Sequence, residues 1–189
     1  LICYLSGEGE TRQGDSDQIK GRLYWPKRLA YQGASAVPLI GVPSPEFQAL
    51  AGVDLEIGRG MFGLLGPNGA GKTTVLCMLA GILSPSTGRI EIDGVDLLTD
   101  PLNLRWRIGF LPERPPLYED MVVEDYVAFA AQLRGKLGQG VEEVISLTDL
   151  GSVRGQRIGT LSHGFRQRLG IAQAIVHDPA LVVLDEPIN

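Results

Sequence analysis

Gly66-Pro67-Asn68-Gly69-Ala70-Gly71-Lys72-Thr73 satisfies G-x-x-x-x-G-K-[ST], the pattern of a backbone loop that holds phosphate. The glycines let the chain curl tightly, so that several N–H groups point into one concavity. Lys72 adds a mobile positive charge for β- and γ-phosphates, and Thr73 a hydroxyl for Mg²⁺. The flanks suit such a loop. Met61-Phe62-Gly63-Leu64-Leu65 reads as a short buried strand entering it. Thr74 to Leu83, with Val75, Met78, Leu79 and Ile82 at helical spacing, reads as the helix leaving it. That helix aims its positive dipole end at the bound anion, and Thr74 belongs to the same candidate phosphate site.

A second constellation lies near the far end. Leu181-Val182-Val183-Leu184 has no alternation, as expected of a strand buried on both faces of a parallel sheet. Asp185-Glu186 follows it directly. A carboxylate at the carboxyl end of a central strand, near a phosphate loop, can hold Mg²⁺ through water, and Asp185 suits that role. Glu186 is placed to orient or deprotonate the water that attacks a γ-phosphate. The third piece is Leu161-Ser162-His163-Gly164-Phe165-Arg166-Gln167-Arg168. Here Ser162 suits the N-cap of the helix Arg166 to Val176, and Ser162 with Gly164 offers a second phosphate-binding terminus.

Between these motifs the chain divides by pattern. Residues 1–18 open apolar and turn polar, which reads as a linker or the tail of an upstream region. Val53-Asp54-Leu55-Glu56-Ile57 and Arg89-Ile90-Glu91-Ile92 alternate, and the latter ends in an Asp93-Gly94 turn; both predict a small antiparallel sheet packed onto the parallel core. After Pro115-Pro116 a helical insertion of about fifty residues begins, over residues 115–165. Its stripes are Val123, Val127, Ala130, Ala131 and Leu133, then Val141, Val144, Ile145 and Leu147.

The 189 residues, 44% hydrophobic, suffice for one substantial domain. A net charge of −5 argues against nucleic acid as the main partner. Two cysteines, Cys3 and Cys77, are too few for a disulfide framework and fit a reducing, intracellular setting. No apolar run is long enough to span a bilayer, and no signal peptide is evident. Leu1 in place of Met, and Asn189 so close behind the acidic pair, suggest a chain cut at both ends.

Taken in order, these motifs resemble the ATP-binding-cassette (ABC) ATPases. Gly66 to Thr73 matches the Walker A loop, Leu161 to Arg168 the family signature, and Leu181 to Glu186 the Walker B strand with its catalytic glutamate. The likeness runs from about Leu50 to Asn189 and more faintly back to Ile19. It implies an α/β fold: a P-loop NTPase core with a parallel sheet, a small antiparallel β subdomain and a helical subdomain. The ABC ATP-binding domain would thus cover residues 19–189, incomplete at its C-terminus. The resemblance further implies ATP and Mg²⁺ as ligands, with Lys72 and Glu186 as catalytic residues. Two such domains would pack head to tail, so that Ser162 and Gly164 serve the partner's γ-phosphate. The pair would drive a membrane permease from the cytoplasmic face, peripheral to the inner side of the cell membrane.

Ile108-Gly109-Phe110-Leu111-Pro112-Glu113 resembles the family's Q-loop with Glu113 where Gln is usual; a carboxylate there can still reach the metal. Together with Pro115-Pro116-Leu117-Tyr118, it looks like the bacterial drug-export and gliding-motility branch. His163 and Phe165 depart from the common signature, and both His163 and His177 read as ordinary helix-end residues, His177 favoured by the dipole. For the adenine platform, Tyr31 resembles the family's aromatic in local context, with Phe47 the alternative. The family's D-loop and switch histidine lie beyond Asn189, and a core strand with them, so the chain as it stands is expected to bind nucleotide without completing hydrolysis. Two other readings remain: a soluble ABC ATPase acting on nucleic acid or ribosomes, and a nucleotide-binding module without turnover.

Overall fold

Alternating strands on either side of the phosphate loop find each other first. The computed structural model describes residues 2–5, 19–23, 50, 53–58, 60–85, 87–92, 94–136, 138 and 140–187. Within them, β2 (Ile19–Leu23), β3 (Val53–Ile57), β5 (Arg89–Ile92) and β6 (Val95–Asp96) form an antiparallel sheet in the order β3-β2-β5-β6. Ile57, Ile90 and Ile92 turn to the core while Asp54 and Glu56 face water, the period of two that the sequence carries. Ile92 pairs with Val95; the expected Asp93-Gly94 turn lies partly outside the described residues.

The second sheet holds β1 (Ile2–Leu5), β4 (Gly60–Gly63), β7 (Ile108–Leu111) and β8 (Leu181–Leu184), in the order β4-β1-β8-β7. β7 and β8 run parallel, Ile108 beside Leu181 and Leu111 beside Leu184. Between β4 and β8 lies β1, antiparallel to both. Two expectations are corrected here. Residues 2–5 are a strand inside the sheet rather than part of a tail, because their backbone supplies the hydrogen bonds that β4 and β8 would otherwise lack on facing edges. The strand before the loop is not buried: Met61 and Leu65 are 68% and 89% exposed, since β4 is the edge of this sheet among the described residues.

Helix α1 (Lys72–Leu79) fills the space between the sheets. Its Leu76 and Met78 share one apolar cluster with Ile90 and Ile92 on one side and Leu181 and Val183 on the other. The helix stops four residues earlier than the periodicity suggests. Gly81 takes a φ of 68°, a left-handed turn that ends the helix and leaves Ile82 exposed. Short helix α2 (Pro101–Trp106), capped by the Asp100 side chain, leads into β7.

The insertion forms its own core. In α3 (Val123–Leu133) and α4 (Val141–Leu147), Val123, Val127, Val144 and Ile145 pack on Leu169, Ala172 and Val176 of α5 (His163–Ile175) and the turn after it. Leu133 and Leu147, expected in those stripes, are exposed. Each sits about 100° round its helix from the centre of the buried face, and both end their helices. Arg154 grips both helices by paired hydrogen bonds to Glu124 and Glu142, which lowers the Glu124 pKa.

α5 joins the helical unit to the sheet through a second, small-residue face. Gly170 meets Leu111 and Pro115, and Gly109 of β7 lies so close to the Ala174 carbonyl that a Cβ there would overlap it. Beyond the helix end, His177 is corrected from a dipole-favoured cation to a buried, neutral ring. Only 4% exposed, it donates from Nε2 to the Ile108 carbonyl at 3.3 Å, which leaves Nδ1 buried without a partner among the described residues. Burial first, and then the Arg134 charge, push its pKa down to about 4. Arg134 itself donates to the Arg105 and Ile108 carbonyls.

A pH dependence follows. The unfolded chain takes up the His177 proton near pH 6.5 and the folded chain only near pH 4. A depressed histidine pKa means stability is complete above pH 6.5 and falls as the pH drops through this window. The loss at full effect is on the order of 3 kcal/mol. Denaturation curves of the chain and of His177→Gln, compared from pH 7.5 to 4, should diverge there, with the variant the flatter of the two.

Candidate functional site

The phosphate loop is built from torsions only glycine takes easily. Gly69 and Gly71 have φ of 81° and 84°, and Gly71 serves as N-cap of α1 without a side-chain cap. The helix's first N–H groups, those of Lys72, Thr73 and Thr74, have no intrahelical acceptor by geometry; the first tie back is Val75 to Gly71 at 3.0 Å. Gly66, Pro67, Asn68, Gly69 and Ala70 are all exposed, as is the Thr73 side chain. Lys72 curls over this cradle, its Nζ donating to the carbonyls of Gly66 at 2.7 Å and Pro67 at 2.8 Å. A phosphate entering the loop offers that ammonium a charged acceptor in exchange for two neutral ones.

The acid pair arrives at the same place through sheet register. Leu184 pairs with Leu111, and the Asp185 N–H donates to the Leu111 carbonyl at 2.8 Å. Asp185 is 4% exposed, whereas Glu186 and Glu113 are open to solvent. Glu113 follows β7 as Glu186 follows β8, so both carboxylates leave the carboxyl edge of one parallel pair. Asp185 lies close enough to α1 for its charge to act on Cys77: burial first, and then Asp185, raise the Cys77 pKa. Helix α1 and the strand that carries Asp185 thus pack on one another. Among the described residues no three His, Cys, Asp or Glu side chains gather as a metal cage. A hydroxyl and one or two carboxylates fit Mg²⁺, which takes few protein ligands and completes its shell with nucleotide oxygens and water.

Ser162 caps α5 as expected, its hydroxyl accepting from the Phe165 N–H at 3.4 Å. Ser162, His163 and Gly164 are exposed. Arg166 fixes this first turn by an ion pair to Glu119 at 2.8 Å and a hydrogen bond to the Gly159 carbonyl. The signature turn is therefore presented outward, on the opposite end of α5 from His177. Tyr31 and Phe47 lie outside the described residues. Sequence reasoning missed Gln167, which is buried and whose amide donates to the Glu186 carbonyl at 3.2 Å. A signal was available: Gln167, Gly170 and Ala174 recur at i, i+3 and i+7, one face of α5 with two small residues.

No described helix is long and apolar enough to cross a membrane. The family model described as ABC transporter matches residues 50–189. YxlF of Bacillus subtilis (strain 168), an uncharacterized ABC transporter ATP-binding protein, is 43% identical over 130 residues, 67% of this chain and 42% of the relative. YbhF of Escherichia coli (strain K12), a probable multidrug ABC transporter ATP-binding protein, is 37% identical over 150 residues, 77% of this chain and 26% of its own. The bacitracin transport ATP-binding protein BcrA of Bacillus licheniformis is 37% identical over 130 residues, 68% and 42% of the two chains. The chain therefore spans less than half the length of these relatives. Among solved structures, cbiO1 from Clostridium perfringens, part of the ABC transporter complex cbiONQ, superposes with a TM-score of 0.65 at 25% identity, over 87% of this chain and 63% of that one. With its three motifs on one such fold and its relatives drawn from one group, the chain belongs to the ABC transporter family.

Proposed function

We propose that this chain is the greater part of the ATP-binding and hydrolysing domain of an ABC exporter. The observations that support the reading are the phosphate cradle at the start of α1 and the buried Asp185 at the carboxyl end of β8, a strand that shares one apolar cluster with α1. In this reading backbone N–H groups of the loop, those of Gly69 and Gly71 to Thr74 among them, and the Lys72 ammonium bind the β- and γ-phosphates of ATP. Thr73 and Asp185 hold Mg²⁺, with Glu113 in reach from the neighbouring strand. The metal supplies charge neutralisation between the phosphates. Glu186 accepts a proton from the attacking water as its oxygen bonds to the γ-phosphorus and the bond to the β–γ bridging oxygen breaks, giving ADP and phosphate.

Ser162 and Gly164, exposed at the free end of α5, suit a second ABC domain's γ-phosphate in a head-to-tail dimer. Transport through a membrane permease is supported by the names of the multidrug and bacitracin relatives; export, driven from the cytoplasmic side, is the direction this reading takes. The domain boundaries of the proposal are 19–189, with the helical unit over about 115–165 and β1 contributed from in front.

Nucleotide binding tests the core of the reading. Lys72→Ala removes the one cation in the loop, and the affinity for Mg²⁺-ATP should fall about 100-fold, the loss of charge-assisted bonds worth roughly 3 kcal/mol. Titration calorimetry on both forms decides it. Equal affinities would remove the loop from the site.

A further inference from the structure

We propose that Gln167 is a positioning residue for Glu186, and that through it α5 ties the partner-facing signature turn to the chain's own catalytic base; this rests on the base assignment above. Glu186 is one of few non-glycine residues here with a left-handed backbone, at φ 48°. That conformation is uncommon for a residue with a Cβ and persists where the surroundings hold it. The hold comes from α5: the buried Gln167 amide donates to the Glu186 carbonyl at 3.2 Å. An amide at 6% exposure is sequestered from water, so the bond is not readily exchanged for a solvent one.

The helix that carries this bond is rigidly seated. Two residues on from Gln167 stands Leu169 in the helical core, and three on stands Gly170 against Leu111 and Pro115. Its first turn is capped by Ser162 and exposed from Ser162 to Gly164, about one turn from Gln167. A displacement of that turn by a ligand is thus transmitted by a single stiff element to the carbonyl of Glu186. One α-helix links what arrives at its N-terminus with how the base is aimed.

Gln167→Met keeps the volume and removes the donor; Gln167→Glu keeps the shape and replaces the donor with an acceptor. Both are made in the full-length protein, alone and together with Glu186→Gln. ATP turnover, ATP affinity and thermal melting are measured for each. In the wild-type background both variants should lower kcat about tenfold, with KM and ATP affinity unchanged. In the Glu186→Gln background, single-turnover hydrolysis of γ-labelled ATP should show no further loss, because there is no base left to position. An equal loss in both backgrounds would assign Gln167 a general structural role and overturn the proposal. So would an unchanged kcat, or a loss confined to affinity or melting. If Glu186→Gln turns over as fast as wild type, the base assignment itself falls, and the proposal with it; that arm separates the two failures.

Discussion

Glu186→Gln should retain Mg²⁺-ATP with undiminished affinity and lose ATP turnover by about 10²–10⁴-fold, the span that a positioned general base contributes. The substitution keeps size, turns one acceptor oxygen into a donor and removes the basic carboxylate. Asp185, the buried member of the pair, stays in place for its proposed metal role. In the proposed head-to-tail dimer hydrolysis is the step that reopens the ATP-closed state, so the variant in full-length form should also accumulate as an ATP-bound dimer, seen as a doubled mass by light scattering in ATP and not in ADP. Rapid turnover, or a mass independent of nucleotide, would remove Glu186 from the chemistry.

The second large effect is on stability. A methyl group at Gly109 overlaps the Ala174 carbonyl, a backbone atom within α5 that moves only if the whole helix moves. Gly109→Ala should cost about 2–3 kcal/mol, a sizeable share of a total near 5–15, and lower Tm by about 5–10 °C. Gly170→Ala is the control. Its Cβ would approach the Leu111 Cδ1 at 2.5 Å, the end of a flexible side chain, and alanine in a helix recovers about 1 kcal/mol over glycine. That variant should melt within a few degrees of the parent. Similar Tm values for both variants would mean that the α5–β7 approach is not the tight joint described.

The contrast between these glycines also shows what a sequence discloses. The phosphate loop, the Ser162 cap and the β8 strand were legible because each is dictated by neighbours along the chain: glycine torsions, a side chain reaching three residues on, an unbroken aliphatic run. Leu133 and Leu147 misled because an apolar residue fits a stripe on paper even when its angle has drifted off the buried face. β4 misled for a different reason. Whether a strand is edge or centre depends on how many partners the rest of the chain supplies, and no local pattern records that. His177 belongs to the same class: its neutral state comes from burial and from the Arg134 charge, remote in sequence and adjacent in space, and prevails over the Ile108 carbonyl, which favours the proton. Of the site, Lys72, Asp185 and Glu186 were visible as types in a pattern. Gln167 was not, since its role is a bond to a backbone oxygen and carries no motif of its own.

The place of β1 bears on the order in which the molecule can be made. Ile2–Leu5 precede both of their sheet neighbours in sequence, β4 and, much further on, β8. Contacts of such long sequence separation close slowly. Until β8 emerges, β1 and β4 present unpaired edges to whatever chains are near. The cradle hangs from β4 and the acid pair from β8, so the closing of this one gap is what puts both on a common sheet. The phosphate cradle and the acid pair thus come onto one sheet only after β8 has been made.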